Sequence, residues 1–324
     1  MLIQTIYSAI KKTKIIPKLT QELKILISNI MNEQKASLFC LSILYGKTDN
    51  YFMYDYLLEK YNFLKKYKDF LDVNNKENIS KNDKISFIII NKTFNNEEFT
   101  EKEIYDFVYN FTNKAISLID VSFWSMLVCE IGLSDKNTYL LTKSMTNTGN
   151  IYNYKSSFPN YFFTRRYPTG GVSEKLSLLL PTFIMCISEK YNIKSPFTIG
   201  RSLGFTGGTW DKLSSIPDFN FAEPGIESIK RLDKCGISMT VSKDDMCPAD
   251  RILYQLRSLV GTIESTELAT ASIVSKQLAT PCDYLVLDTR YGDGAFFEKN
   301  EAIKMSNLIK KFLEYDGIKV DIVY

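Results

Sequence analysis

The 324-residue chain contains no histidine. That absence removes imidazole metal ligands, histidine general bases and Ser-His-Asp triads together. Its six cysteines (Cys40, Cys129, Cys186, Cys235, Cys247 and Cys282) are scattered, with no CxxC pair. They read as thiols of a reducing compartment, and no zinc site can be argued from their spacing. A strong charge of either sign is also missing. The formal net charge of +3 gives no ground for a nucleic-acid or anionic-membrane partner. No apolar stretch approaches the ~18 residues that would span a membrane. The run LSLLLPTFIMCI is short and is interrupted by Pro181. The opening MLIQTIYSAIKKTKIIPKL lacks the apolar core and small-residue cleavage site of a secretory signal, so a cytoplasmic location is expected.

An apolar fraction of 45% is ample for a sizeable core. The length suits one large or two medium domains, at ~100–200 residues each. Residues 1 to about 75 read as helical, with Leu23, Leu26, Ile27 and Ile30 on one face. VNNKENISKNDK (73–84) reads as an exposed loop, and the β-branched run Ile85 to Ile90 as a strand or a buried helix end. Thr100 with Glu103 forms a capping box, followed by Ile104, Phe107, Val108 and Phe111 on one helical face. Phe123 to Ile131 is a nearly unbroken apolar helix, and Ser134-Asp135-Lys136 opens another. The pattern from Leu19 to Leu44 resembles that from Phe99 to Ile131, as a degenerate repeat would. From Tyr161 short apolar runs (Leu176–Ile187, Phe197–Ile199, Ile237–Val241, Tyr284–Leu287 and Val320–Val323) alternate with helices, which argues for an α/β layer. Within it, Arg251–Ala279 reads as a helical insertion with a turn at Glu264–Glu267.

The most informative segment runs from Arg165 to Phe219. It contains RRYPTGGVSEKLSLLLP and, after a spacer, IGRSLGFTGGTWDKLSSIPDF. Gly170-Gly171 and Gly207-Gly208 each follow a threonine and precede a helical pattern. Glycine removes the Cβ that would keep backbone N–H groups away from an anion. Two such loops in one segment point to one phosphate-bearing or phosphate-using ligand.

From about Phe99 to Val323 the chain resembles the thymidine phosphorylases and the wider pyrimidine nucleoside phosphorylases. The resemblance rests on FTEKEIYDFVYNFTNKAISLIDVSFWSMLV, both TGG loops, DKLSSIPDF, PADRILYQLRSLVGTIESTELATASIVSKQLA and LVLDTRYGDGAFF. It implies a small all-helical domain packed on an α/β domain with a central sheet, and a nucleoside cleft between them. The expected boundaries are an N-terminal, mostly helical extension (1–95), a helical domain (96–150, completed by helices from about 250–280) and a phosphate-side α/β domain (155–324). The implied reaction is phosphorolysis: inorganic phosphate, a co-substrate with no cofactor beside it, attacks C1′ of a pyrimidine nucleoside. A place in nucleotide salvage and a homodimeric state are implied as well. Arg257, Ser272 and Lys276 match the family's base-holding residues. Ser272 and Lys276 lie four apart, hence on one helix face. On the phosphate side Arg166 stands where the family has lysine and Tyr167 where it has histidine, and these two are the expected catalytic residues. Ser177 and Thr209, with Gly170, Gly171, Gly207 and Gly208, complete the expected phosphate site. Asp250 is expected to pair with a base-side cation. Asp288 and Asp293 are expected to touch a cation or orient a loop, with a structural turn at Gly292-Asp293-Gly294 favoured.

The chain also departs from the family. Pro168 and Ile199 replace two phosphate-binding serines, and Phe205 replaces a second histidine. Glu174 stands at the place of an acidic residue. Each lost hydrogen bond to an anion weakens binding by on the order of 1.5–3 kcal/mol. Two losses amount to a factor on the order of 10²–10³, unless Thr198, Ser202 or Tyr167 donates instead. The family continues past the position of Tyr324, so an apolar sheet edge is expected, covered by the N-terminal extension, a second copy or another polypeptide. Three functions follow: a phosphate-using pentosyltransferase; a transferase or hydrolase of a pyrimidine nucleoside or nucleotide with a different nucleophile; or a non-catalytic nucleoside-binding or regulatory relative.

Overall fold

A computed structural model describes residues 81–172, 174–201, 206–241 and 245–324. The expectations for residues 1–75, the proposed repeat and the contributions of Ser202 and Phe205 lie outside the described residues.

Four helices come first: α1 (Lys81–Phe94), α2 (Glu101–Thr112), α3 (Leu118–Ile131) and α4 (Asp135–Thr146). The capping box of α2 is present, with the Glu103 N–H donating to Thr100 Oγ1 and the Thr100 N–H to Glu103 Oε2. Ser134 caps α4. The run Ile85–Ile90 is the middle of helix α1, not a strand, and Lys81–Lys84, expected as loop, begin that helix. The reason is tertiary. Ser86, Ile89, Ile90 and Thr93 are buried at a helical period, and Trp124 Nε1 donates to Thr93 Oγ1 at 3.1 Å. Strand propensity is a weak preference that such packing overrides.

The second layer is α/β. Its strands are β1 (Phe162–Pro168), β2 (Ile193–Ile199), β3 (Ile237–Val241), β4 (Tyr284–Asp288) and β5 (Lys319–Val323). They pair in parallel in the order β3-β2-β1-β4-β5. The connecting helices are α5 (Leu176–Tyr191), the short α6 (Thr209–Leu213), α7 (Ile226–Cys235), α8 (Pro248–Val260), α9 (Thr266–Ala279) and α10 (Lys299–Tyr315). The stretch expected to be one helical insertion with a turn is α8 and α9. The chain winds outward from β1 to β3, then returns to β1's other side for β4. Such a reversal of strand order opens a crevice at the carboxyl ends of the strands.

Two large cores flank α9. One gathers Phe107, Phe111, Trp124 and Leu141 with Leu253 and Leu268. The other gathers Phe163, Leu285 and Leu287 with Ile273, Leu278, Met305 and Phe312. Helix α9 contributes to both and is buried along almost its whole length. That double burial fixes its rotation and so decides where Ser272 and Lys276 point. On the far side of the sheet, α5 leaves Leu179 and Phe183 exposed, Phe183 at 68%. No helix among the described residues is long and apolar enough to cross a membrane.

Candidate functional site between two glycine loops and helices α8 and α9

The residues expected to hold the base and the phosphate all line one cleft. Arg166, Tyr167, Gly170, Gly171, Ser177, Gly207, Gly208 and Thr209 form one side, and Arg257, Ser272 and Lys276 the other. They come from elements up to 110 positions apart, brought together by the parallel pairing of β1 with β2 and β4.

The first loop leaves the end of β1. Gly170 and Gly171 take φ of 92° and 124°, a region L side chains avoid. The second loop approaches the end of β2 so closely that a Cβ on Gly208 would lie 2.3 Å from the Gly200 carbonyl oxygen. Glycine is required there for space. The Gly208 N–H donates to Asp211 Oδ2 at 2.7 Å.

On the opposite wall α8 presents Asp250, Tyr254 and Arg257 at i, i+4 and i+7, one face of the helix. Lys276 Nζ donates to Asp250 Oδ2 at 2.8 Å and to Ser272 Oγ at 2.9 Å, and lies over the Tyr254 ring. The expected partnership of Asp250 with a base-side cation is this bond. Burial disfavours the Lys276 ammonium, but the Asp250 carboxylate and the Tyr167 and Tyr254 hydroxyls outweigh it and hold its pKa above the ordinary lysine value. Burial pushes the Tyr254 phenol up to about 12. Arg257 lines the cleft but is engaged with the chain: Nε donates to Thr262 O, Nη2 to Ile263 O at 2.6 Å and Nη1 to Leu268 O. It therefore ties down the turn between α8 and α9, and burial lowers its pKa.

Arg166 is engaged as well. Its Nε donates to Asp288 Oδ2 at 2.8 Å, and Nη2 reaches both Asp288 and Glu174 Oε1, the latter at 2.9 Å. Nη1 donates to Ser177 Oγ at 3.1 Å. Arg290 also pairs with Asp288. Glu174, Ser177 and Lys212 share the cleft wall with Arg166, whereas Asp288 lines a separate groove beside α5. Asp288 thus orients an arginine. Gly292 and Gly294 flank Asp293 at φ of 85° and 84°, in the expected turn. Thr198 Oγ1 lies 3.2 Å from Thr280 Oγ1. Among the described residues no cluster of three or more metal-ligating side chains is present.

No protein-family model matches the chain. Curated relatives do. It is 34% identical over 229 residues to the thymidine phosphorylase of Mycoplasmoides pirum, covering 69% of this chain and 53% of that one. It is 33% identical over 220 residues to that of Mesorhizobium japonicum, covering 67% and 48%. A third, from Colwellia psychrerythraea, is 32% identical over 225 residues, covering 69% and 50%. The chain is related to the thymidine phosphorylases. It spans about half the length of the curated relatives it matches. Among solved structures its fold is similar to anthranilate phosphoribosyltransferase from Thermus thermophilus, with a TM-score of 0.54 and 14% identity over 72% of this chain and 65% of that one. It is also similar to the Saccharomyces cerevisiae enzyme in complex with PRPP and Mg, with a TM-score of 0.53 and 11% identity over 76% and 66%.

Three lining residues carry chemistry that sequence reasoning did not assign: Tyr254, Lys212 and Glu174. Tyr254 could have been found from its spacing between Asp250 and Arg257. Lys212 was visible only as part of DKL. The Glu174 contacts depend on the folded loop, and no local spacing reveals them.

Proposed function

We propose that this chain is a pentosyltransferase that cleaves the N-glycosidic bond of a pyrimidine nucleoside, with inorganic phosphate as the acceptor. The observation that carries this reading is the charged pair of α9 and α8. An ammonium kept protonated by Asp250 and steadied by Ser272 faces the two glycine loops across one cleft. A pyrimidine base leaves carrying negative charge on its carbonyl oxygens, and Lys276 supplies a fixed cation for that charge. Preorganised charge of this kind lowers a barrier because it needs no reorganisation during reaction. Arg257 holds the turn that places this wall. The loops around Gly170 and Gly208, with Ser177, Thr209, Arg166 and Tyr167, form the phosphate side. The chemistry is positioning and electrostatics, and no residue needs to exchange a proton by way of imidazole.

The test is incubation with thymidine, deoxyuridine, uridine and cytidine, with and without phosphate, following free base. Phosphate-dependent release supports the reading, and no release under any condition removes it. A second reading, transfer to water or another acceptor, is favoured by Pro168 and Ile199, whose side chains offer no hydroxyl to an anion. Release of equal size without phosphate is the result that reading requires.

A further inference from the structure

We infer that the Glu174 carboxylate occupies the anion position of the cleft and that phosphate must displace it to bind. The inference rests on the proposed phosphate-side assignment of this cleft. Three donors of the kind that bind a phosphate oxygen converge on this one side chain. Arg166 Nη2 donates to Oε1 at 2.9 Å, the Ser177 N–H in the first turn of α5 donates to the same oxygen at 3.1 Å, and Lys212 Nζ lies 3.5 Å from Oε2. Lys212 also donates to the Glu174 carbonyl at 2.5 Å. All four residues line the cleft, and the Glu174 side chain is only 3% exposed.

A guanidinium, a backbone N–H in the first turn of a helix and an ammonium form an anion receptor by their chemistry. Here the receptor is filled by an acid eight residues along from its arginine. Burial by itself would favour the neutral acid, but hydrogen bonds from Ser177 and the Arg166 charge keep the carboxyl below its ordinary pKa. Glu174 is therefore an ionised competitor tethered beside the loop, at an effective concentration that a free anion must exceed. Asp288 pairs with the same guanidinium from outside the cleft. Its removal frees no position within the cleft and loosens the arginine.

The experiment is calorimetric titration of the folded full chain with inorganic phosphate, comparing wild type, Glu174→Gln, Glu174→Asp and Asp288→Asn. Thymidine is titrated in parallel. Displacement requires phosphate to bind Glu174→Gln at least about tenfold more tightly than wild type. It also requires Glu174→Asp, which keeps the charge but shortens the reach, to bind more tightly than wild type, and Asp288→Asn more weakly. Phosphate affinity unchanged or reduced in both Glu174 variants overturns the inference, as does binding to none of the four proteins. If Glu174→Gln does not fold, Glu174→Asp decides alone. Tighter phosphate binding with no release of base from any nucleoside would uphold this inference while removing the proposed reaction. Phosphate-dependent release with unchanged affinities would do the reverse.

Discussion

Lys276, in the last turn of α9, reaches Asp250, in the first turn of α8, across 2.8 Å with only 13% and 7% of the two side chains exposed. The pair joins the two helices that form one wall of the cleft. Removing one partner from a buried ion pair leaves an uncompensated charge, a loss of about 3–5 kcal/mol. Asp250→Ala should therefore lower stability to urea by an amount near this range, and Asp250→Asn by less. Equilibrium unfolding curves of the two variants beside wild type will measure both.

Lys276→Ala should abolish base release and weaken pyrimidine nucleoside binding by at least about tenfold. Lys276→Met, which keeps much of the apolar stem without the charge, should bind no better than Lys276→Ala. Calorimetry with thymidine separates this loss of binding from a loss of folding, which circular dichroism will detect. Recovery of nucleoside affinity by the methionine variant would contradict a role for the ammonium.

Arg257→Lys keeps one charge but removes the fork that donates to Thr262, Ile263 and Leu268. Charged hydrogen bonds of this sort contribute about 1.5–3 kcal/mol each, not additively. A fall in stability of about 2–4 kcal/mol is expected, with a larger effect on thermal midpoint than on phosphate affinity. Differential scanning calorimetry and phosphate titration together will check the contrast.

Gly208→Ala and Gly200→Ala should behave oppositely. A Cβ on Gly208 would lie 2.3 Å from Gly200 O and 2.5 Å from Arg201 O, both backbone atoms, whereas one on Gly200 meets nothing within 4 Å. The first change forces the second loop off β2 and should destabilise by about 1–3 kcal/mol. The second should leave the thermal midpoint within about 1 °C, since surface changes of this kind stay within ~0.5 kcal/mol. Melting curves of the two variants suffice.

The pH dependence follows from two opposite shifts. Glu174 is held below its ordinary 4.5, so its stabilisation is present above that value and lost as pH falls through the folded-state pKa. Lys276 is held above its ordinary 10.5, so its stabilisation is full below that value and lost as pH rises through the folded-state pKa. With no histidine in the chain, no imidazole titrates between the two. The thermal midpoint in phosphate-free buffer should therefore be level from about pH 6 to 9, falling on the acid side below 4.5 and on the basic side above 9, where the buried Cys247 thiol and Tyr254 phenol, both pushed up to about 12, lose stability ahead of Lys276. An inflection near pH 6.5 would contradict this account.

The helical capping at Thr100 and Ser134, the apolar runs that form β2 to β5, and the placing of Ser272 and Lys276 on one helix face were legible in the sequence, whereas β1 was not among those runs and Leu176–Ile187 lies in helix α5. The caps and the shared face depend on spacings of three or four residues, which local geometry converts directly. Ile85–Ile90 reads from the sequence as either a strand or a buried helix end, and contacts with α3, more than thirty positions away, decide for helix.

Sequence alone established that this chain supplies no imidazole and that two Thr-Gly-Gly stretches each precede a helical pattern. These are properties of residue type and short spacing. Tertiary structure decided which partner each charge faces, including which base-side cation meets Asp250. Arg166 meets Asp288 across 122 positions and Glu174 across eight, and Lys276 meets Asp250 across 26. Electrostatic energy depends on distance and burial rather than on order along the chain. A cation that reads from the sequence as a waiting phosphate ligand is, once folded, already paired with two carboxylates.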